Sequence, residues 1–264
     1  MTDWQTIRTN HFAFPTGGDV EEFVAELVDM LASPDPELRD ELGYAALATW
    51  IHQGVVPDDR LRPLGDLMVK RFESDQVHVR TFAPLILDVM VATRDVCEPA
   101  WVDAFERWYA TEGDLRGHDP QLGWLHAVAH GADLLGELGL RTDVPARRML
   151  DLAAARMLAE TPVVWRDQED DRLAYAVGRV LTRGDLARLD ATGWLDPIGE
   201  VLAGDRTGPV PAQVSNTLRT LRMLYLVVER GVRIGPDDVR PVPERDAVLD
   251  RIAEVLHPAS SWAW

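Results

Sequence analysis

Apolar residues recur along this chain with a period close to 3.6 almost from end to end, and the alternation of a half-buried strand is hard to find. A chain so patterned buries its apolar atoms by packing helix against helix. The first helix is expected over about 20–32, where Val20, Phe23, Val24, Leu27 and Leu31 form one stripe and Asp19 with Glu22 marks the N-terminal cap. A second spans about 36–53, with Pro36 behind Asp35 at its start and Gly54 at its end. Others are placed near 59–72, 78–92 (Pro84 in its first turns or kinking it), from Pro99, 121–138, 144–159 and 168–182, with short pieces at about 186–190 and 197–203. A strong one at about 211–230 carries Val214, Leu218, Leu221, Tyr225 and Val228, and the last, near 244–256, is expected to stop at Pro258.

Helix starts fall about 17–24 residues apart, so two helices repeat every ~40–46 residues, the pitch of HEAT and armadillo pairs. The expected fold class is all-α, stacked helical pairs forming an α-solenoid of about 11–12 helices, with an irregular bundle as the competitor. The Gly/Pro-rich stretches at 204–211 (GDRTGPVP) and 231–243 read as loops within one array, so residues 1–264 are expected to form a single domain.

Charge narrows the partners. Lys+Arg is 27 against Asp+Glu 44, a net charge of −17, which repels phosphate backbones and makes nucleic acid a poor partner. Lys70 is the one lysine and asparagine occurs only at Asn10 and Asn216, as GC-rich coding bias would produce, so arginine by itself carries no message. Cys97 alone excludes an internal disulfide and a thiolate zinc cage. The opening MTDWQTIRTNHFAF lacks a signal-peptide pattern and no stretch approaches the ~20 apolar residues of a membrane span, so a cytoplasmic protein without a membrane partner is expected.

The stretch that stands out is EGDLRGHDPQLGWLHAVAHGADLL at 112–135. A charged loop with Glu112, Asp114 and Arg116 leads into the sixth helix. There His126, His130 and Asp133 at i, i+4, i+7 fall within an arc of roughly 60°. Trp124, Val128, Leu135 and Leu138 mark the opposite, core side, and Ala127, Ala129, Gly131 and Ala132 leave the backbone beside the polar stripe thinly covered. Two imidazoles one turn apart with a carboxylate one turn on suit a divalent metal such as zinc, which would activate water for hydrolysis. No glutamate sits between the histidines, so the zinc-protease pattern is absent. A pocket for a small molecule or peptide without metal is the main reading, and a purely structural use, tying the helix to its neighbour and capping helix ends, stands beside it.

Other candidates are weaker. Arg80, before an apolar helix, reads as an ion-pair partner, and the acidic start of the eighth helix, Glu169-Asp170-Asp171-Arg172, suits the helix dipole. His52, His78, His118 and His257 show no partners in sequence, Ser215 and Ser260 lack a nucleophile elbow, and no phosphate loop is present. The tail Ser-Ser-Trp262-Ala-Trp264 is read as packed in preference to a partner-binding end.

SPDPELRDELGYAALATWI at 33–51, VHVRTFAPLIL at 77–87, the 112–135 stretch and EDDRLAYAV at 169–177 together resemble a bacterial family, that of domain of unknown function 2785. The resemblance spans roughly residues 20–200 and is most specific in DLRG…GW.HA.AHGADL. It implies an all-helical fold and no particular activity. It also implies that Asp114, Arg116, Trp124, His126, His130 and Asp133 carry the family's signature, with Arg39, Asp40, Arg80 and Arg172 matching its other motifs. Val77-His78-Val79 departs from the pattern, where an aromatic residue and a serine or threonine are expected around the arginine.

The expected function is a binding module for a small molecule or peptide, using Arg80, Glu112, Asp114, Arg116, Trp124, His126, His130, Asp133 and Arg172. One alternative is a metal-dependent hydrolase on His126, His130 and Asp133; the other is a protein-interaction scaffold without a catalytic site.

Overall fold

The structure, a computed structural model, describes residues 2–204 and 208–264, so Asp205, Arg206 and Thr207 of the 204–211 loop lie outside the described residues. Among the described residues the chain is all-α apart from two hairpins of two-residue strands. No described helix is long and apolar enough to cross a membrane. Two compact units are distinguished, the chain up to Trp108 with Arg116–Leu134, and Tyr109–Leu115 with Leu135–Trp264.

The first unit carries α1 (Trp4–Thr9), α2 (Val20–Met30), a π-helical segment (Glu37–Tyr44) running into α3 (Ala45–His52), α4 (Asp58–Arg71), α5 (Val77–Arg94), most of α6 (Pro99–Thr111), the hairpin β1 (His118–Asp119) and β2 (Gly123–Trp124), and the start of α7 (Ala127–Leu140). Asp19 caps α2 by accepting the N–H groups of Glu21 and Glu22, and the Asp35 carboxylate receives the Glu37 N–H at 2.9 Å. Trp50, fully buried, packs edge-on against Phe14 and Phe23, and its indole donates to the Phe12 carbonyl at 2.7 Å. α4 meets Trp101 at Gly65, where a Cβ would fall 2.2 Å from the indole ring.

The second unit carries α8 (Ala146–Leu158), α9 (Glu169–Leu181), α10 (Arg188–Gly193), α11 (Asp196–Ala203), α12 (Ala212–Arg230), the hairpin β3 (Val232–Arg233) and β4 (Val239–Arg240), and α13 (Arg245–Ser260). α12 packs on α9 and on α13, and α8 packs on α9. Buried Arg156 donates to the carbonyls of Tyr109 (2.8 Å) and Glu112 (2.9 Å), and burial holds its pKa below the usual arginine value. Glu169 and Asp170 are buried, which a dipole-only reading of the acidic start of α9 does not anticipate. Arg219 Nε meets Asp170 Oδ2 at 2.7 Å, yet burial still raises the Asp170 carboxyl above its usual range.

Several expectations are corrected. α7 begins at Ala127 and not near 121, because 118–124 turns back as a hairpin. α13 runs through Pro258 to Ser260; the proline removes one i→i−4 donor, and only Ala259 and Ser260 of the helix lie beyond it. Trp262 and Trp264 are 88% and 57% exposed, so the tail is not packed away. Tyr225, placed on the core stripe of α12, is 37% exposed.

Candidate functional site

The 116–133 stretch is built on a turn. Asp119 accepts the N–H groups of Gln121 and Leu122, both at 2.9 Å, and these donors together with Arg116 and His118 hold its carboxyl below the usual range. Arg116 Nη1 donates to the other oxygen of Asp119. The strands pair His118 with Trp124 and Asp119 with Gly123. Gly123 has φ +71°, and a Cβ there would stand 2.8 Å from Pro36, so both backbone and space require glycine.

The hairpin is anchored from beneath by Arg39, which is fully buried. Its Nη2 donates to the carbonyls of Leu122 (2.7 Å) and Trp124 (3.3 Å), its Nε to Asp40 (2.8 Å), and its guanidinium lies 4.7 Å from the Phe82 ring centre. Burial raises the Asp40 carboxyl above its usual range, with the pull of Arg39 working against it. The π-helical segment delivers Arg39; its i→i+5 winding shows where the Ala45 N–H reaches the Asp40 carbonyl.

Leu125 and His126 both donate their N–H to the Gly117 carbonyl, at 2.8 and 3.2 Å. His126 takes φ +44° and offers its own carbonyl to the His130 N–H, so it sits at the N-cap of α7 and not on the helix. The expected three-residue helical stripe therefore loses its first member. Its imidazole stacks on Trp124, ring centres 4.4 Å apart and planes 13° off parallel, while the His118 ring stands at 76° to the same indole with centres 4.8 Å apart. His126 and His130 lie 5.7 Å apart, tilted by 50°. His130 Nδ1 is 2.9 Å from the Thr81 carbonyl, which ties α7 to α5, and its ring stands edge-on to Phe82 at 5.1 Å. A carbonyl only accepts, so Nδ1 is the donor in this contact.

The remaining expected residues are spread more widely. Arg80 donates to the Ser74 carbonyl at 2.6 Å. Asp133 is half-buried on α7, one turn beyond His130. Glu112, Asp114 and Arg172 belong to the second unit. There Glu112 is buried and its carboxylate accepts the Asp114 N–H at 2.9 Å, while Arg172 is exposed in the first turns of α9. Trp124, expected on the core side, is 44% exposed, whereas Ala127, Ala129 and Ala132 are buried in the core and leave no bare backbone. The structure thus gathers Trp124, His126 and His130, and adds His118, Phe82 and Arg39, to which sequence reasoning gave no place in the site. The turn signal Asp119-Pro120 with Gly123 pointed to the hairpin that carries His118.

Among the described residues, no group of three or more His, Cys, Asp or Glu side chains is arranged to hold a metal ion.

A family model described as "Protein of unknown function (DUF2785)" matches residues 68–226, which include the hairpin, α7 and α9. No curated protein and no solved structure matches the chain.

Proposed function

The chain belongs to the DUF2785 family, and we propose that it is a binding module whose first unit receives a small molecule or peptide through a flat group laid on Trp124. One observation carries the reading. Trp124 is 44% exposed and yet fixed, with His126 stacked on one face, His118 set nearly perpendicular to its ring and its carbonyl held by buried Arg39. A large aromatic held in place and open to solvent loses little entropy when a ring settles on it. Arg116, His126 and His130 supply polar contacts nearby, and Arg80, Glu112, Asp114, Asp133 and Arg172 are secondary candidates. The pairing of α4 with α5 and of α8 with α9 supports reading the helices as repeated pairs. The test is a thermal-shift screen of heterocycles and aromatic peptides against the parent and Trp124→Ala. Compounds that stabilise the parent are expected to bind Trp124→Ala about tenfold more weakly or worse.

A metal-dependent hydrolase is the second reading. It draws on the 5.7 Å separation of the His126 and His130 rings, close enough to share one ion. It is tested by elemental analysis of tag-free protein beside the His126→Ala/His130→Ala variant.

A further inference from the structure

The second unit holds a cleft of about 350 Å³ between α12 and α13, lined by Arg222, Tyr225, Ala253, Leu256, Ser260 and Trp264. That volume lies at the small end of the ~300–1,000 Å³ typical of ligand clefts. Its apolar part is aromatic at the rim, with Tyr225 37% and Trp264 57% exposed, over a Leu256 that is buried. His257 meets the Trp264 ring edge-on at 5.0 Å and so supports it from its own helix.

The polar part has one sign. Three of the four other arginines of α12 and α13 are taken by carboxylates: Arg219 by Asp170, Arg251 by Asp196 and Glu254, and Arg245 by Glu229 and Asp246. Arg222 differs. Among the described residues its recorded partner is the Ser260 hydroxyl, at a long 3.5 Å, and no carboxylate lies within ion-pair reach. A guanidinium has five donors in a planar fork, so this one keeps donors to spare in the cleft lining beside the Ser260 hydroxyl.

We propose that this cleft binds a small aromatic carboxylate, its ring against Tyr225 and Trp264 over Leu256 and its carboxylate on Arg222 and Ser260. Arginine takes a carboxylate by paired charge-assisted hydrogen bonds, and the aromatic rim selects a flat apolar body. The site is separate from the Trp124 hairpin and does not depend on it.

The test uses 2-naphthoate as probe and 2-naphthylmethanol as its neutral counterpart, titrated into the full chain by calorimetry, with the tryptophan indole resonances followed by NMR. Naphthoate is expected to bind at least about tenfold more tightly than the alcohol, since hydrogen bonds to a charged group outweigh neutral ones. It should shift the Trp264 resonance and leave that of Trp124 in place. Arg222→Gln should remove the preference for the acid, and Trp264→Ala should weaken both probes. Circular dichroism checks that each variant stays folded; both side chains are exposed, so it should. No naphthoate binding, equal affinity for acid and alcohol, an unchanged preference in Arg222→Gln, or shifts centred on Trp124 would overturn the proposal.

Discussion

Arg39 Nη2 lies 2.7 Å from the carbonyl of Leu122, a hydrogen bond that joins the π-helical segment to the hairpin across 83 positions of sequence. The arginine is fully buried and serves four acceptors, the carbonyls of Ser33, Leu122 and Trp124 and the Asp40 carboxylate. Removing it strands those groups. Arg39→Ala is expected to cost about 3–5 kcal/mol, read from urea unfolding, and to speed amide exchange at Leu125 and His126. Arg39→Lys keeps the charge but loses the fork, and should cost about 1–2 kcal/mol.

Trp124→Ala should separate binding from stability. The indole is 44% exposed, so its loss should change unfolding free energy by only about 1 kcal/mol, whereas ligand affinity falls by about tenfold or more. Equal losses in both would assign the stack to the fold alone.

Gly123→Ala meets Pro36 at 2.8 Å and a φ of +71°. It should destabilise by about 1–3 kcal/mol, seen as a lowered melting temperature, and should displace the Trp124 indole resonance because the hairpin turn must shift.

His78 sets a pH dependence. It is buried, its Nε2 lies 3.0 Å from the Ala32 carbonyl, and burial holds its pKa below 6.5, with Arg39 adding repulsion. The unfolded chain then takes up a proton that the folded chain resists. Stability is therefore full above about pH 6.5 and falls as pH drops below it toward the folded value. Burial raises Asp40 and Asp170, so their protonation favours the fold on acidification and opposes the histidine. The difference between parent and His78→Gln isolates it. Across pH 7.5 to 5 the parent should lose more stability than the variant, measured by urea unfolding at each pH.

Much of the helical layout is legible in the sequence because the 3.6 period and its caps are local signals. Asp19 caps α2 as its position suggests, and α12 spans Ala212–Arg230 where the apolar stripe predicts about 211–230. The hairpins escape for a physical reason: two-residue strands are too short to show alternation. That error propagates, since reading 121–126 as helix puts His126 on a stripe with His130 and sends Trp124 to the core. Arg39 is legible as a charged residue within a helix, which ordinarily means a solvated face, and nothing local reveals acceptors that far along the chain. The Trp124–His126 stack likewise depends on the positive φ of His126, which an amphipathic pattern does not encode.

The central claim is that a ligand's ring rests on Trp124. Its most direct test is to titrate the best-stabilising compound of the screen into ¹⁵N-labelled parent and Trp124→Ala protein, each before and after chelator treatment. The account predicts a shifted Trp124 indole resonance in the parent, affinity about tenfold weaker or worse in the variant, and no effect of the chelator. Unchanged affinity in Trp124→Ala, or binding lost with the metal, would contradict it.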